Sequence, residues 1–345
     1  FLPIVGLVFY FFFGRSQRRE RIIGQKSYDR LLKKPMAEYM AQDCSDVPEE
    51  YARLIQLFQH TNQAFPFEGN RIAVYTEGYT KLQSLLRELQ KAKQHIHIEY
   101  YIFEDDAIGR LVRDVLIEKA SQGVEVRVIY DDVGCWHVPN RFFEEMRNAG
   151  IEVRSFLKVR FPLFTSRVNY RNHRKIVVID GRIGFVGGMN LAERYMRGFS
   201  WGIWRDTHIL IEGKAVHGLQ TAFLLDWYFV DRTLITASRY FPKIESCGSS
   251  LVQVVTSEPI GPWKEIMQGL TMAINGAKKY FYMQTPYFLP TEQVLAAMQT
   301  AALAGVDVRL MLPERADNRI THLGSHSYLA DVMQAGVKVY FYKKG

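Results

Sequence analysis

The sequence has few cysteines, a deficit of acids and an apolar run too short to cross a membrane. Its three cysteines, Cys44, Cys135 and Cys247, are far apart and form no C-x-x-C. An odd, scattered set excludes a disulfide framework and a thiolate metal site, and it fits a reducing compartment. Lys and Arg total 44 against 36 Asp and Glu. A basic surplus points to anionic partners: nucleic acid, phosphorylated substrates or an anionic membrane surface, without choosing among them. Disorder is excluded, because 48% of the residues are hydrophobic and only 23% charged. A chain of 345 residues suffices for one large domain or two medium ones.

The apolar run is FLPIVGLVFYFFFG, residues 1–14. A membrane-spanning helix needs roughly 20 such residues. The sequence starts inside the run and without methionine, so 1–14 is expected to be the end of a transmembrane helix. Arg15, Arg18, Arg19, Arg21 and Lys26 follow and place the rest on the cytoplasmic side. A cleaved signal peptide would carry its positive charge before the run. A buried core helix is the alternative. Residues 15–70 read as a basic juxtamembrane and amphipathic linker. Within them RLLKKPMAEYM and YARLIQLFQHT have the spacing of short helices, lying on a bilayer or packed on the main domain.

From residue 71 strands and helices alternate: RIAVYT, YTKLQSLLRELQKAK, HIHIEYYIF, AIGRLVRDVLIEKASQ, GVEVRVIYDD, PNRFFEEMRNAG and GIEVRSF. This order argues for an α/β fold with a largely parallel sheet under helices. It recurs as LVQVVTS, GPWKEIMQGLTMAINGAKK, YFYMQTPYF, TEQVLAAMQTAALA, GVDVRLMLP, SYLADVMQAG and GVKVYFY. GVEVRV and GVDVRL are offset by 182 residues, and AGIEV and AGVKV by 186. A duplicated unit is expected, with a first half at 71–240 and a second at 241–345. WRDTHILIEGKAVHGLQTAFLLDWYFV supplies one more strand and a long helix closing the first half. His95 and His97 alternate on a strand, and no carboxylate or thiol spacing makes them metal ligands.

The chemistry concentrates in NHRKIVVIDGRIGFVGGMN, residues 172–190. On a strand, positions i and i+2 share a face, so His173 and Lys175 point together. Ile176, Val177, Val178 and Ile179 continue as a core strand. Asp180-Gly181 signals a hairpin turn. Gly187 and Gly188 allow backbone to approach a ligand closely, and Asn190 opens the next loop or helix. A phosphodiester can be cleaved with a nucleophile, an acid for the leaving alcohol, cations for the oxygens and an orienting carboxylate. Neutral imidazole suits the first role, Lys175 the third, and the Asn190 amide can donate to the same oxygens. Asp180 is either part of this set or only a turn former. The stretch 158–175, KVRFPLFTSRVNYRNHRK, carries basic and no acidic side chains. It suits an anionic headgroup surface as well as a solvated face, and Phe161, Phe164 and Tyr170 suit lipid or core.

HRKIVVIDGRIGFVGGMN resembles the HxKxxxxDx6GGxN motif of the phospholipase D superfamily. YYIFEDDAIGR, GVEVRVIYDDVG, WRDTHILIEG and QTPYFLP, with the apolar N-terminus, are similar to bacterial membrane-anchored cardiolipin synthases, in the same order. The resemblance implies a duplicated phospholipase D-like sandwich of mixed, largely parallel sheets with flanking helices, preceded by a transmembrane helix. It implies a transferase joining two phosphatidylglycerols into cardiolipin and glycerol through a phosphatidyl-histidine. His173 would be the nucleophile, Lys175 and Asn190 would hold phosphate oxygens, and Asp206, on a following strand, would orient His173. Asp180 completes the motif. No metal or nucleotide cofactor is implied. The expected partners are membrane phospholipids and not nucleic acid, with homo-oligomerisation left open, and the expected location is the cytoplasmic side of the cell membrane. A second such motif is expected beyond Gly345. Rival readings are a hydrolase of the superfamily, transfer to another acceptor, and a non-catalytic lipid-binding protein. The strip around WGIWRD is expected to meet lipid or a partner subunit.

Overall fold

The computed structural model describes residues 47–158, 171–198, 202–257 and 262–343. The apolar run at 1–14, the basic cluster after it, RLLKKPMAEYM and residues 159–170 of the basic stretch lie outside the described residues. Among the described residues, no helix is long and apolar enough to cross a membrane.

In chain order the first unit holds α1 (Glu49–Asn62), β1 (Pro66–Tyr75), α2 (Gly78–Lys91), β2 (His95–Tyr100), α3 (Ala107–Ser121), β3 (Glu125–Asp131), α4 (Asn140–Asn148) and β4 (Glu152–Phe156). It continues with β5 (Lys175–Ile179), β6 (Ile183–Gly187), the single-turn α5 (Arg194–Arg197), β7 (His208–Glu212), α6 (Val216–Asp231) and β8 (Ser250–Gln253). Then come α7 (Glu265–Gly276), β9 (Tyr280–Gln284), α8 (Glu292–Leu303), β10 (Asp307–Pro313), α9 (Arg319–Ser327), α10 (Leu329–Gln334) and β11 (Lys338–Tyr342).

The larger sheet has eight strands in the order β4-β3-β2-β5-β6-β7-β1-β8. Helical crossovers α3 and α4 make β2, β3 and β4 parallel. The hairpin strand β5 then joins the free side of β2 antiparallel, and β6, β7, β1 and β8 follow antiparallel. The smaller sheet, β11-β10-β9, is wholly parallel. Both sheets are therefore α/β, and the larger is mixed. Parallel pairing is confined to the strands joined by helices, as alternation predicts. The antiparallel pairs come from the β5–β6 hairpin and from longer return connections. One expected assignment differs. LVQVVTS was read as the first strand of the second half, but its strand β8 closes the edge of the larger sheet against β1. An edge strand's pattern does not name its partner, so the boundary at 240–241 does not separate the sheets.

Each face of the larger sheet is covered. Leu85 and Leu89 of α2, Val112 and Leu116 of α3 and Phe142 of α4 pack on Ile96, Ile98 and Val177. On the other face Val216 and Leu219 of α6 pack on Ile176, Val178 and Ile211. Strand alternation in β2 thus sends Tyr100 towards α2 and His95, His97 and Glu99 towards α6. The two histidines are spent there on structure. Gln220 of α6 bridges them, 3.2 Å from His95 Nε2 and 2.8 Å from His97 Nδ1. Among the described residues no group of His, Cys, Asp or Glu is arranged to hold a metal ion. YARLIQLFQHT forms α1 and packs on the body. Phe58 lies where a Cβ on Gly269 of α7 would stand, 2.0 Å from its Cζ, and Gln253 donates to the Ile55 carbonyl.

Candidate active site

Register brings the site to one end of the larger sheet. Tyr100 faces Lys175 across β2 and β5. Ile176 faces Val186, so one step on Lys175 meets Gly187, which in turn faces His208. Tyr75 of β1 faces His208. A single row, Tyr100, Lys175, Gly187, His208 and Tyr75, therefore crosses five strands. This end is also the C-terminal end of the parallel β2 and β3, where ligands of α/β sheets gather.

His173 stands two residues before β5, on a loop rather than on the strand. It and Lys175 nevertheless meet as expected. Lys175 Nζ lies 3.0 Å from His173 Nδ1 and also donates to the His173 carbonyl. The ring of Tyr101 tilts against the imidazole at 4.6 Å between centroids, and Lys175 Nζ is 5.4 Å from the same ring. Partial burial first, then the Lys175 charge, lower the His173 pKa to about 4. The imidazole is thus neutral at pH 7, and its Nδ1 lone pair accepts from the Lys175 ammonium. Burial lowers Lys175 to about 8, opposed by neighbouring acidic groups, Asp206 first, so the ammonium persists at neutral pH.

Asp206 sits in the loop two residues before β7, not on the strand. Its carboxylate faces Lys175 and accepts the Thr207 N–H at 2.6 Å. Burial raises its pKa, opposed by the Thr207 N–H, Lys175 and Arg205. The His173 ring has Lys175 and Tyr101 as neighbours, and it has no hydrogen bond to Asp206. The paired glycines serve these side chains. A Cβ on Gly188 would lie 2.0 Å from Asp206 Oδ1, and one on Gly187 would lie 2.7 Å from His208 Nδ1.

Two expected site residues are held elsewhere. Asn190 is buried, and its amide donates to Tyr195 Oη at 2.6 Å while its oxygen accepts from Ile102 N. It ties the loop after β6 to the loop after β2, and this leaves one amide hydrogen uncommitted. Asp180 lies at the far end of β5 and does not join His173. With φ of 52°, and Gly181 at 65°, it makes the turn of a primed hairpin. Its carboxylate accepts the backbone N–H groups of Lys93, Gln94 and His95 at 2.9, 2.8 and 2.9 Å. A whole strand thus separates Asp180 from His173, and its observed contacts are those of a turn former.

Sequence reasoning missed four groups beside the motif. Asp131, at the end of β3, accepts from Val133 N, Gly134 N and Asn172 N. The acidic end of a parallel strand, YDD, was its signal. Tyr101 follows β2. Lys81 of α2 is fully buried and donates to Tyr100 Oη at 2.8 Å. Burial alone lowers Lys81 to about 7. His208 is buried, and neither ring nitrogen has a hydrogen-bond partner among the described residues. Neither had a sequence signal, because each depends on which helix covers the row.

The smaller sheet reaches the same place. Arg205 Nη1 donates to Gln284 Oε1, the last residue of β9, at 3.0 Å. Ile203 beside it is exposed, and Trp204 packs on Tyr195 at 5.3 Å between ring centroids. The strip at WGIWRD is thus partly used inside the molecule, and Trp201 lies outside the described residues.

The family described as cardiolipin synthase, PLD-like domain, matches residues 85–227 and 270–345. The chain is 41% identical to a cardiolipin synthase of Geobacillus kaustophilus, over 99% of this chain and 70% of that protein. It is 37% identical to the major cardiolipin synthase of Bacillus subtilis, over 100% of this chain and 74% of that one. Among solved structures, phosphatidylserine synthase from Haemophilus influenzae superposes with a TM-score of 0.58 at 13% identity, covering 84% of this chain and 79% of that one, a likeness of fold alone. By the family match and these identities, the chain belongs to the cardiolipin synthase family of PLD-like proteins.

Proposed function

We propose that the protein is a phosphatidyltransferase that converts two phosphatidylglycerols into cardiolipin and glycerol at the cytoplasmic face of a membrane. The observation that carries this is the neutral His173 imidazole held 3.0 Å from the Lys175 ammonium, in a chain whose relatives are named cardiolipin synthases. His173 Nε2 attacks phosphorus and the bond to the glycerol oxygen breaks, giving a phosphatidyl-histidine. Glycerol leaves with a proton from an acid on the opposite side. The terminal hydroxyl of the second phosphatidylglycerol then attacks, its proton returns to that group, and the phosphorus–nitrogen bond breaks.

Attack through Nε2 needs the ring proton on Nδ1. Lys175 faces Nδ1 before substrate arrives. A phosphate anion offers that ammonium better acceptors, and the ring proton can then be stabilised by the Asp206 carboxylate. Asn190 has one amide hydrogen to add to the phosphate oxygens. The acid is assigned to the second unit, the side from which β9 approaches Arg205. The residues 1–26 would supply the anchor and its basic flank.

Purified full-length protein given labelled phosphatidylglycerol should yield cardiolipin and glycerol, and His173→Ala should yield neither. Phosphatidic acid in place of cardiolipin would mean that water is the acceptor, as in the hydrolase reading. An active His173→Ala would remove the proposed nucleophile.

A further inference from the structure

His173 is presented by a loop, so its aim depends on the residues on either side. Both neighbours are tied from beneath. The Asn172 N–H donates to Asp131 Oδ2 at 3.1 Å, and the Arg174 N–H donates to Asn172 Oδ1 at 3.0 Å. The Asn172 side chain is buried. Its Nδ2 donates both to Glu99 Oε1 on β2 and to Asp226 Oδ2 on α6, the latter at 3.1 Å. Arg174 pairs with Asp226, and Arg171 lies 3.4 Å from Asp131. One amide thus joins the strand, the opposite helix and the far side of the loop that it flanks. A misplacement of about 1 Å at a reacting group costs on the order of 10²-fold in rate, so a fixed loop matters more than its distance from the chemistry suggests.

The chemistry of the grip is unusual. Two carboxylates share one amide in the interior. Glu99 is fully enclosed, and its Oε2 has no hydrogen-bond partner among the described residues. Burial, followed by the Asp226 charge, raises its pKa well above the ordinary carboxylate value. With Glu99 pushed towards its uncharged form, the Arg174 guanidinium faces Asp226 as the charge partner of the cluster, which suits a buried polar network.

We propose that Asn172, gripped by Glu99 and Asp226, is the positioning residue that aims His173 at phosphorus. This rests on reading His173 as the nucleophile. Asn172 is buried and its amide is committed to Glu99 and Asp226, so its removal should act on kcat and on formation of the covalent intermediate rather than on KM. Glu99 serves as an uncharged acceptor, so an amide of the same shape can replace it.

The test uses the full-length protein with vesicles containing labelled phosphatidylglycerol. Asn172→Ala should lower kcat and the rate of phosphatidyl-histidine formation on the order of 10²-fold, with KM near the wild-type value. Glu99→Ala should behave in the same way, whereas Glu99→Gln should restore kcat close to wild type. An Asn172→Ala enzyme with unchanged kcat would overturn the proposal. If that variant does not fold, the Glu99 pair decides: equal kcat in Glu99→Ala and Glu99→Gln overturns it, and rescue by Gln supports it. His173→Ala separates the two readings. Activity there removes the nucleophile itself, while an inert His173→Ala beside an unimpaired Asn172→Ala removes only the positioning role.

Discussion

At the scale of single residues, the site runs on two displaced titrations. Burial and the neighbouring ammonium lower His173 to about 4, so acid must reach that range before the nucleophile is protonated. Burial lowers Lys175 to about 8, so its charge fades as pH rises through that value and phosphate loses its partner. The pH profile of kcat/KM should therefore be bell-shaped, with limbs near 4 and 8, because that ratio reports the free enzyme. Measuring it in wild type and in Lys175→Arg tests both limbs. An acid limb near 6.5 in wild type would mean that His173 is not held as described, and the alkaline limb should move upward in any Lys175→Arg that retains activity. The motif's spacing made His173 and Lys175 legible, since their meeting follows from i, i+2 geometry even though the histidine lies just off the strand. Asp206 was legible only through resemblance. Its reach to Lys175 depends on a loop lead-in and on the missing side chain of Gly188, and periodicity describes neither.

At the scale of elements, the β5–β6 hairpin is fixed by Asp180 rather than by its apolar contacts alone. Asp180→Ala should lower the unfolding free energy by about 1.5–3 kcal/mol, the usual worth of hydrogen bonds to a charged group, and leave kcat unchanged. Thermal or denaturant unfolding read beside turnover checks this, and a large fall in kcat with unaltered stability would return Asp180 to the chemistry. Strands and helices themselves were readable, because periods of two and 3.6 survive in sequences such as GVEVRVIYDD and YTKLQSLLRELQKAK. Their neighbours were not. LVQVVTS looks the same whether it edges one sheet or opens another, and it takes the place beside β1 because that edge has unpaired backbone groups.

At the scale of the whole molecule, buried histidines make the fold sensitive to acid. Burial lowers His97 to about 3 and His217 to about 4, and it lowers His95 as well. Between the ordinary value near 6.5 and these depressed ones, the unfolded chain binds more protons than the folded one. Stability contributed by each group is therefore lost as pH falls through that window. Buried Glu99 and Asp131, whose pKa values are raised, act with the opposite sign, so wild-type slopes alone do not separate the groups. A comparison does. His97→Gln should be less stable than wild type at pH 7, and the gap should narrow as pH falls towards 4. Chemical denaturation at several pH values measures it, and a gap that is constant or widens would contradict a neutral His97. The succession of strands and helices was legible as alternation, and the strand order within the sheets was not. Nor was the approach of the two sheets through Arg205 and Gln284, because long-range contacts between polar ends leave no periodic trace.

One consequence concerns how the motif counts. Asp180 grips the start of β2 while Lys175 faces Tyr100 at the other end of that strand. The four residues between them are the rest of β5, so the interval is a gauge cut to the width of the sheet. Adding or removing one residue would turn the lysine towards α6 and put an isoleucine or valine in its place. Kin too distant for overall identity should vary freely in what fills the interval and not at all in its number.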